Sequence, residues 1–71
     1  MMTALEQGIA VAKEYGENSW WESYKIHTNE WKKYGKHRIY IDFTGYNEDR
    51  PQKTYKVGWV DVTTNTFVKT I

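Results

Sequence analysis

Cysteine is absent from this 71-residue chain. Its absence excludes disulfides and thiolate metal sites, two of the devices that hold many domains of this size together. Long apolar runs are also missing. No stretch approaches the ~20 residues needed to span a bilayer. The first residues lack a basic segment followed by an apolar one, so no signal peptide is expected. A charge excess of either sign is lacking too: ten Lys and Arg face nine Asp and Glu, for a net charge of +1. With no global field to draw in nucleic acid, any electrostatic attraction must be local.

Motifs of catalysis are equally sparse. The five glycines are isolated, and neither dinucleotide-binding nor phosphate-loop spacing occurs. No glycine-framed nucleophile motif surrounds Ser19, Ser23 or the threonines. His27, His37 and Asp42 are too scattered to match a metal-ligand spacing. These absences predict a protein that is not an enzyme and carries neither metal nor cofactor. The lack of cysteine fits a cytoplasmic setting, and no membrane partner is expected.

A 71-residue chain is one domain at most, and it buries only about 60% of the surface that its unfolded form exposes. With disulfides excluded, association with another copy or with a target is the stabiliser left open, so a homo-oligomer is expected. Aromatic residues are what the chain has in abundance: 17% of the sequence, with four Trp and six Tyr. A small core cannot cover that many rings. Those left exposed are the kind that interfaces and stacking sites use.

Residues 3–16 read as a helix. Thr3 and Glu6 form a capping box. Leu5, Ile9 and Ala12 give one narrow apolar stripe, and Gly16 suits the left-handed residue that ends a helix. Gly8 inside it is read as simply tolerated, the alternative being close approach of a sheet or of a second helix.

Residues 18–34 read two ways. As a helix, Ser19 and Glu22 would cap it and Trp20, Tyr24, His27, Trp31 and Tyr34 would line one stripe. As strands, apolar and polar residues alternate. The wealth of Trp, Tyr, Ile and Thr, with no Ala, Leu or Met, favours strands over 20–27 and 30–34, turning at Thr28–Asn29. Gly35–Lys36 suits a two-residue type II′ turn. Strands then follow over 37–44, 54–62 and 65–70, with a polar loop over 44–53 and a tight Thr-Thr-Asn turn. The fold class is α+β: one N-terminal helix packed on an antiparallel meander of four or five strands, whose other face carries polar residues and surplus rings.

The stretch EWKKYGKHRIYID, residues 30–42, concentrates the chemistry. Lysines and an arginine neutralise phosphates, and rings stack on bases. The candidate ligand-binding residues are Trp31, Lys33, Tyr34, Lys36, Arg38, Tyr40 and Asp42. Strand alternation puts Arg38, Tyr40 and Asp42 on one face: an arginine for phosphate, a ring for a base and a carboxylate for a donor edge. The plainer reading is a solvated hairpin whose lysines discourage edge-to-edge aggregation. Two partner classes follow: a nucleotide or short nucleic acid held by this stretch, or a protein target docked by an aromatic patch of Trp20, Trp21, Trp31 and Trp59.

From Trp31 to Phe67, "YGKHRIYIDF", a loop and a "DVTTN" hairpin resemble small open reading frames carried by bacteriophages and their host genomes. Among these are short proteins that inhibit bacterial immunity by blocking an effector or sequestering its nucleotide signal. The resemblance implies a non-enzymatic inhibitor or sponge and assigns no residue a role.

Overall fold

The computed structural model describes residues 2–71. One helix, α1 (Ala4–Glu17), precedes four strands: β1 (Ser23–Lys33), β2 (Lys36–Asn47), β3 (Arg50–Asp61) and β4 (Thr66–Lys69). All neighbouring strands are antiparallel, and the sheet order is β1-β2-β3-β4. The molecule is an elongated α+β slab of 43 × 27 × 15 Å, with the helix on one face of an open sheet.

The helix starts where the sequence indicates. Thr3 Oγ1 accepts the Glu6 amide at 3.1 Å and donates its own proton to the Glu6 carboxylate at 3.2 Å. A second tie comes from the far end of the chain, where Asn65 Oδ1 accepts the Ala4 N–H at 3.0 Å. The helix does not end at a left-handed Gly16: it runs to Glu17, with Asn18 as its cap. Gly16 is instead buried against the sheet. So are Ala4, Gly8 and Ala12, one helical turn apart each. The buried stripe is therefore made of the smallest residues, not of Leu5 and Ile9 as the apolar spacing suggests. Leu5, Val11 and Tyr15 flank it and pack on the core. Small residues let the helix backbone approach the rings and branched chains of the sheet.

Gly8 faces Ile41 and Phe67 with no room for a Cβ, so the close-approach reading of Gly8 is the right one. At Gly16 an added Cβ would lie 2.8 Å from ring carbons of both Phe43 and Tyr24. Gly16→Ala is therefore expected to destabilise the fold by about 1–2 kcal/mol, because overpacking outweighs the ~1 kcal/mol gained in helix propensity. Chemical denaturation reads this directly. A variant more stable than the parent would contradict the close packing.

Beneath the helix, Ile41, Phe43 and Val57 are fully buried and Val60 nearly so. Phe43 is central: Tyr15 meets it edge-on at 5.0 Å, Tyr24 stacks at 5.3 Å, and Trp21 and Tyr55 close the ring at 6.3 and 6.5 Å. Trp21 lies flat over Gly45, where no Cβ would fit.

Three sequence expectations are corrected. Thr28–Asn29 is no turn: β1 runs unbroken through it, paired with β2 from Ser23↔Tyr46 to Lys33↔Lys36. One continuous ladder satisfies more backbone groups than two short strands could. The hairpin turn falls at Tyr34–Gly35, one residue earlier than expected. Both residues have positive φ, 54° and 72°, the pattern of a type I′ turn. Finally, residues 44–53 form no loop. They complete β2 and β3 around a two-residue turn at Glu48–Asp49, with Thr44 and Thr54 joined through their hydroxyls at 3.0 Å. Pro51 is tolerated because it falls at a register irregularity, where β4 gives β3 no outer neighbour.

Candidate functional site

Side chains alternate across a pleated sheet, and the register sorts them. Toward the helix point Tyr24, Ile26, Ile39, Ile41, Phe43, Tyr55, Val60 and Phe67. Toward the open side point Lys25, His27, Asn29, Trp31 and Lys33 of β1, Lys36, Arg38, Tyr40 and Asp42 of β2, and Lys56, Trp59 and Asp61 of β3. Five permanently basic side chains thus face two carboxylates on the open side. The near-neutral chain is electrically two-sided.

Toward the hairpin end of the open face, on β2 between β1 and β3, lies Arg38. Its register partners are Trp31 on β1 and Asp61 on β3. The guanidinium carbon sits 4.1 Å from the Trp59 ring centroid and 5.7 Å from that of Trp31. Nη1 donates to the Tyr40 hydroxyl at 3.2 Å. Both cation–π contacts and the hydrogen bond hold the planar group against rings rather than against an acid.

Asp61 opposes Arg38 but is committed elsewhere. Its Oδ1 accepts the amides of Thr63 and Thr64 at 3.0 and 3.3 Å, closing the β3–β4 turn. Asp42 accepts from Asn29 Nδ2 at 3.3 Å. Among the described residues, the ion pairs all involve Glu30, with Lys32 at 3.7 Å and His37 at 2.9 Å. Arg38 therefore keeps most of its five donors without an acceptor, on a preorganised aromatic support.

The basic cluster read from the sequence is divided by the pleat. Lys33 and Lys36 oppose each other at the end of the open face, while Lys32 and His37 share the helix-side face with Glu30. The His37 hydrogen bond, then the Lys32 charge, holds the Glu30 carboxyl below its ordinary value. The contribution of that cluster is thus present while the carboxylate is ionised, and it fades as pH falls through the lowered pKa.

Of the expected site residues, Trp31, Lys33, Lys36, Arg38, Tyr40 and Asp42 share the open face. Tyr34 does not join the rings: as the first turn residue it is 92% exposed. Trp59, Lys25 and Lys56 join them there, with His27, Asn29 and Asp61. A straight alternation along "TYKVGWVDV" would put Trp59 with Tyr55 and Val57. The register instead slips where Ile41 pairs with Gly58 and Asp42 with Lys56, so Val57 is an extra residue and Trp59 turns outward. The Val-Gly pair before Trp59 was the available signal.

Concavities lie at the margins. A hollow of about 420 Å³ at the hairpin tip is lined by Lys32, Lys33, Gly35, Lys36 and His37. A groove of about 460 Å³ runs between the end of α1 and the C-terminal residues, past Tyr15, Asn18 and Lys69. The rings around Arg38 line neither. Their face is an open platform, suited to an extended ligand rather than an engulfed one. Among the described residues, no group of His, Asp and Glu could hold a metal ion, and no helix is long and apolar enough to cross a membrane.

Comparison with protein-family models, curated proteins and solved structures returns no match.

Proposed function

We propose that the chain is a small non-enzymatic binding protein that captures single-stranded nucleic acid on its open sheet face. The observation that carries this reading is Arg38, held over the Trp59 ring and beside Trp31 with no carboxylate partner. Sequence-tolerant single-strand binders combine a basic track for phosphates with rings on which bases stack. Here Trp31, Tyr40 and Trp59 are the rings. Lys25, Lys33, Lys36, Arg38 and Lys56 are the track. A mononucleotide signal shares this chemistry but needs enclosure, which a flat platform supplies poorly. An oligonucleotide needs only length.

The test is fluorescence anisotropy of a labelled oligothymidylate of about ten nucleotides, measured across a salt series. Neutralising four or five phosphates gives a slope of log K against log salt of about −3. Arg38→Ala is expected to fold, to bind about tenfold or more weakly, and to flatten that slope by about 0.7. Equal affinity of the parent and Arg38→Ala would count decisively against this reading.

A second reading, docking on a protein target such as a bacterial immune effector, is favoured by one separate observation. Trp20 is 57% exposed, stacked on Trp21 at 4.5 Å and covered by Arg50 at 4.9 Å. Trp and Arg in such an arrangement suit an interface hot spot. Affinity capture with the parent and a Trp20→Ala variant separates the readings: a target retained by the parent and lost by the variant supports docking.

A further inference from the structure

The outer edge of β1 is eleven residues long, has no strand beside it and contains neither proline nor a register irregularity. Long regular edges are templates for pairing. We propose that this edge pairs antiparallel with the β1 edge of a second copy, centred on Thr28, to make one continuous eight-stranded sheet. This inference does not rest on the nucleic-acid reading, and it is tested without any oligonucleotide.

The free backbone groups fix which residues can pair. The two-residue turn makes Lys33 and Lys36 a mutually hydrogen-bonded pair, so the odd-numbered residues of β1 bond to β2. On the far side of β2, Val62 donates to the His37 carbonyl at 3.0 Å, in phase with this alternation. The even residues Tyr24, Ile26, Thr28, Glu30 and Lys32 therefore direct their N–H and C=O groups outward.

Charge then selects the register. Centred on Thr28, the strand meets its copy over its full length: Thr28 faces Thr28, Ile26 faces Glu30, Tyr24 faces Lys32, and Lys25 lies against Trp31. No like charges oppose, and a Thr–Thr pair and a Lys–Trp contact are both favourable across strands. Centring on Asn29 would set Lys25 against Lys33. Centring on His27 would stack two histidines and leave Lys32 and Lys33 unpaired. A two-fold axis normal to the sheet keeps both helices on one side and joins the two ring-bearing faces on the other.

The chain has no cysteine of its own, so single-cysteine variants report the register. At a hydrogen-bonded pair the Cα atoms lie about 5.5 Å apart, within disulfide range. Thr28→Cys is expected to form a symmetric disulfide readily under mild oxidation, and Asn29→Cys to do so far more slowly. Sedimentation velocity of the parent should show a dimer. Thr28→Pro, which removes only an outward N–H, should weaken that dimer about a hundredfold while keeping the monomer's amide spectrum. A parent that stays monomeric at millimolar concentration would overturn the proposal. So would an Asn29→Cys variant that cross-links as fast as Thr28→Cys. If Thr28→Pro fails to fold, the two cysteine variants still decide.

Discussion

A Phe43→Ala variant is expected to be largely unfolded at room temperature. Phe43 is fully buried, and rings of Tyr15, Trp21, Tyr24 and Tyr55 surround it. Truncating such a phenylalanine costs about 3–5 kcal/mol, combining lost transfer energy with the cavity left behind. A single core in a chain of this length rarely supplies more than roughly 3–5 kcal/mol. The loss thus matches the whole stability. The surrounding rings are too rigid to collapse into the space, and the buried stripe of the helix above it is made of alanines and glycines. Near-ultraviolet circular dichroism reads the outcome as a loss of the aromatic signal. A sharp thermal transition close to the parent's midpoint would show that the core is not centred on Phe43.

Trp59→Ala carries the largest expected effect on binding. Its ring supports the Arg38 guanidinium at 4.1 Å and is itself a stacking surface. Stacking is worth roughly 1–3 kcal/mol per base, and release of the arginine adds to that. Affinity for a short single strand should fall by about a hundredfold at low salt. No charge is removed, so the salt slope should change little, unlike that of Arg38→Ala. Trp59→Phe should recover part of the affinity, because a ring remains. Trp20→Ala, on the separate Arg50 stack, should leave oligonucleotide affinity unchanged. An unaffected Trp59→Ala variant, or an equally impaired Trp20→Ala variant, would contradict the placing of the site.

Local patterns foretold the elements with strong signals. The Thr3–Glu6 cap, the alternation of Ile39, Ile41 and Phe43, and the Thr-Thr-Asn turn all stand in the structure, as does the α+β layering. Long-range packing decided the rest. Gly16 looks like a helix terminator in isolation, yet it is the point of closest approach to Phe43 and Tyr24. Thr28–Asn29 has turn composition but lies within a ladder fixed by eleven register pairs. Gly45 and Pro51 read as loop residues. Gly45 is instead the floor under Trp21, and Pro51 sits on an unpaired edge. Six of the seven expected site residues share the open face because strand alternation is a local property. Trp59 was not legible there, because a single extra residue at Val57 reverses the side to which it points.

The most direct measurement on the open face is a two-dimensional ¹H–¹⁵N spectrum of the protein during titration with a short oligothymidylate. The four tryptophans give four indole N–H signals, two from the open face and two from the Trp20–Trp21 stack. The expected result is that the Trp31 and Trp59 indole signals and the Arg38 side-chain signal move together and saturate. Trp20 and Trp21 should stay in place. Shifts confined to Trp20 and Trp21, or no shift at millimolar oligonucleotide, would contradict the assignment of the open sheet face as the binding surface.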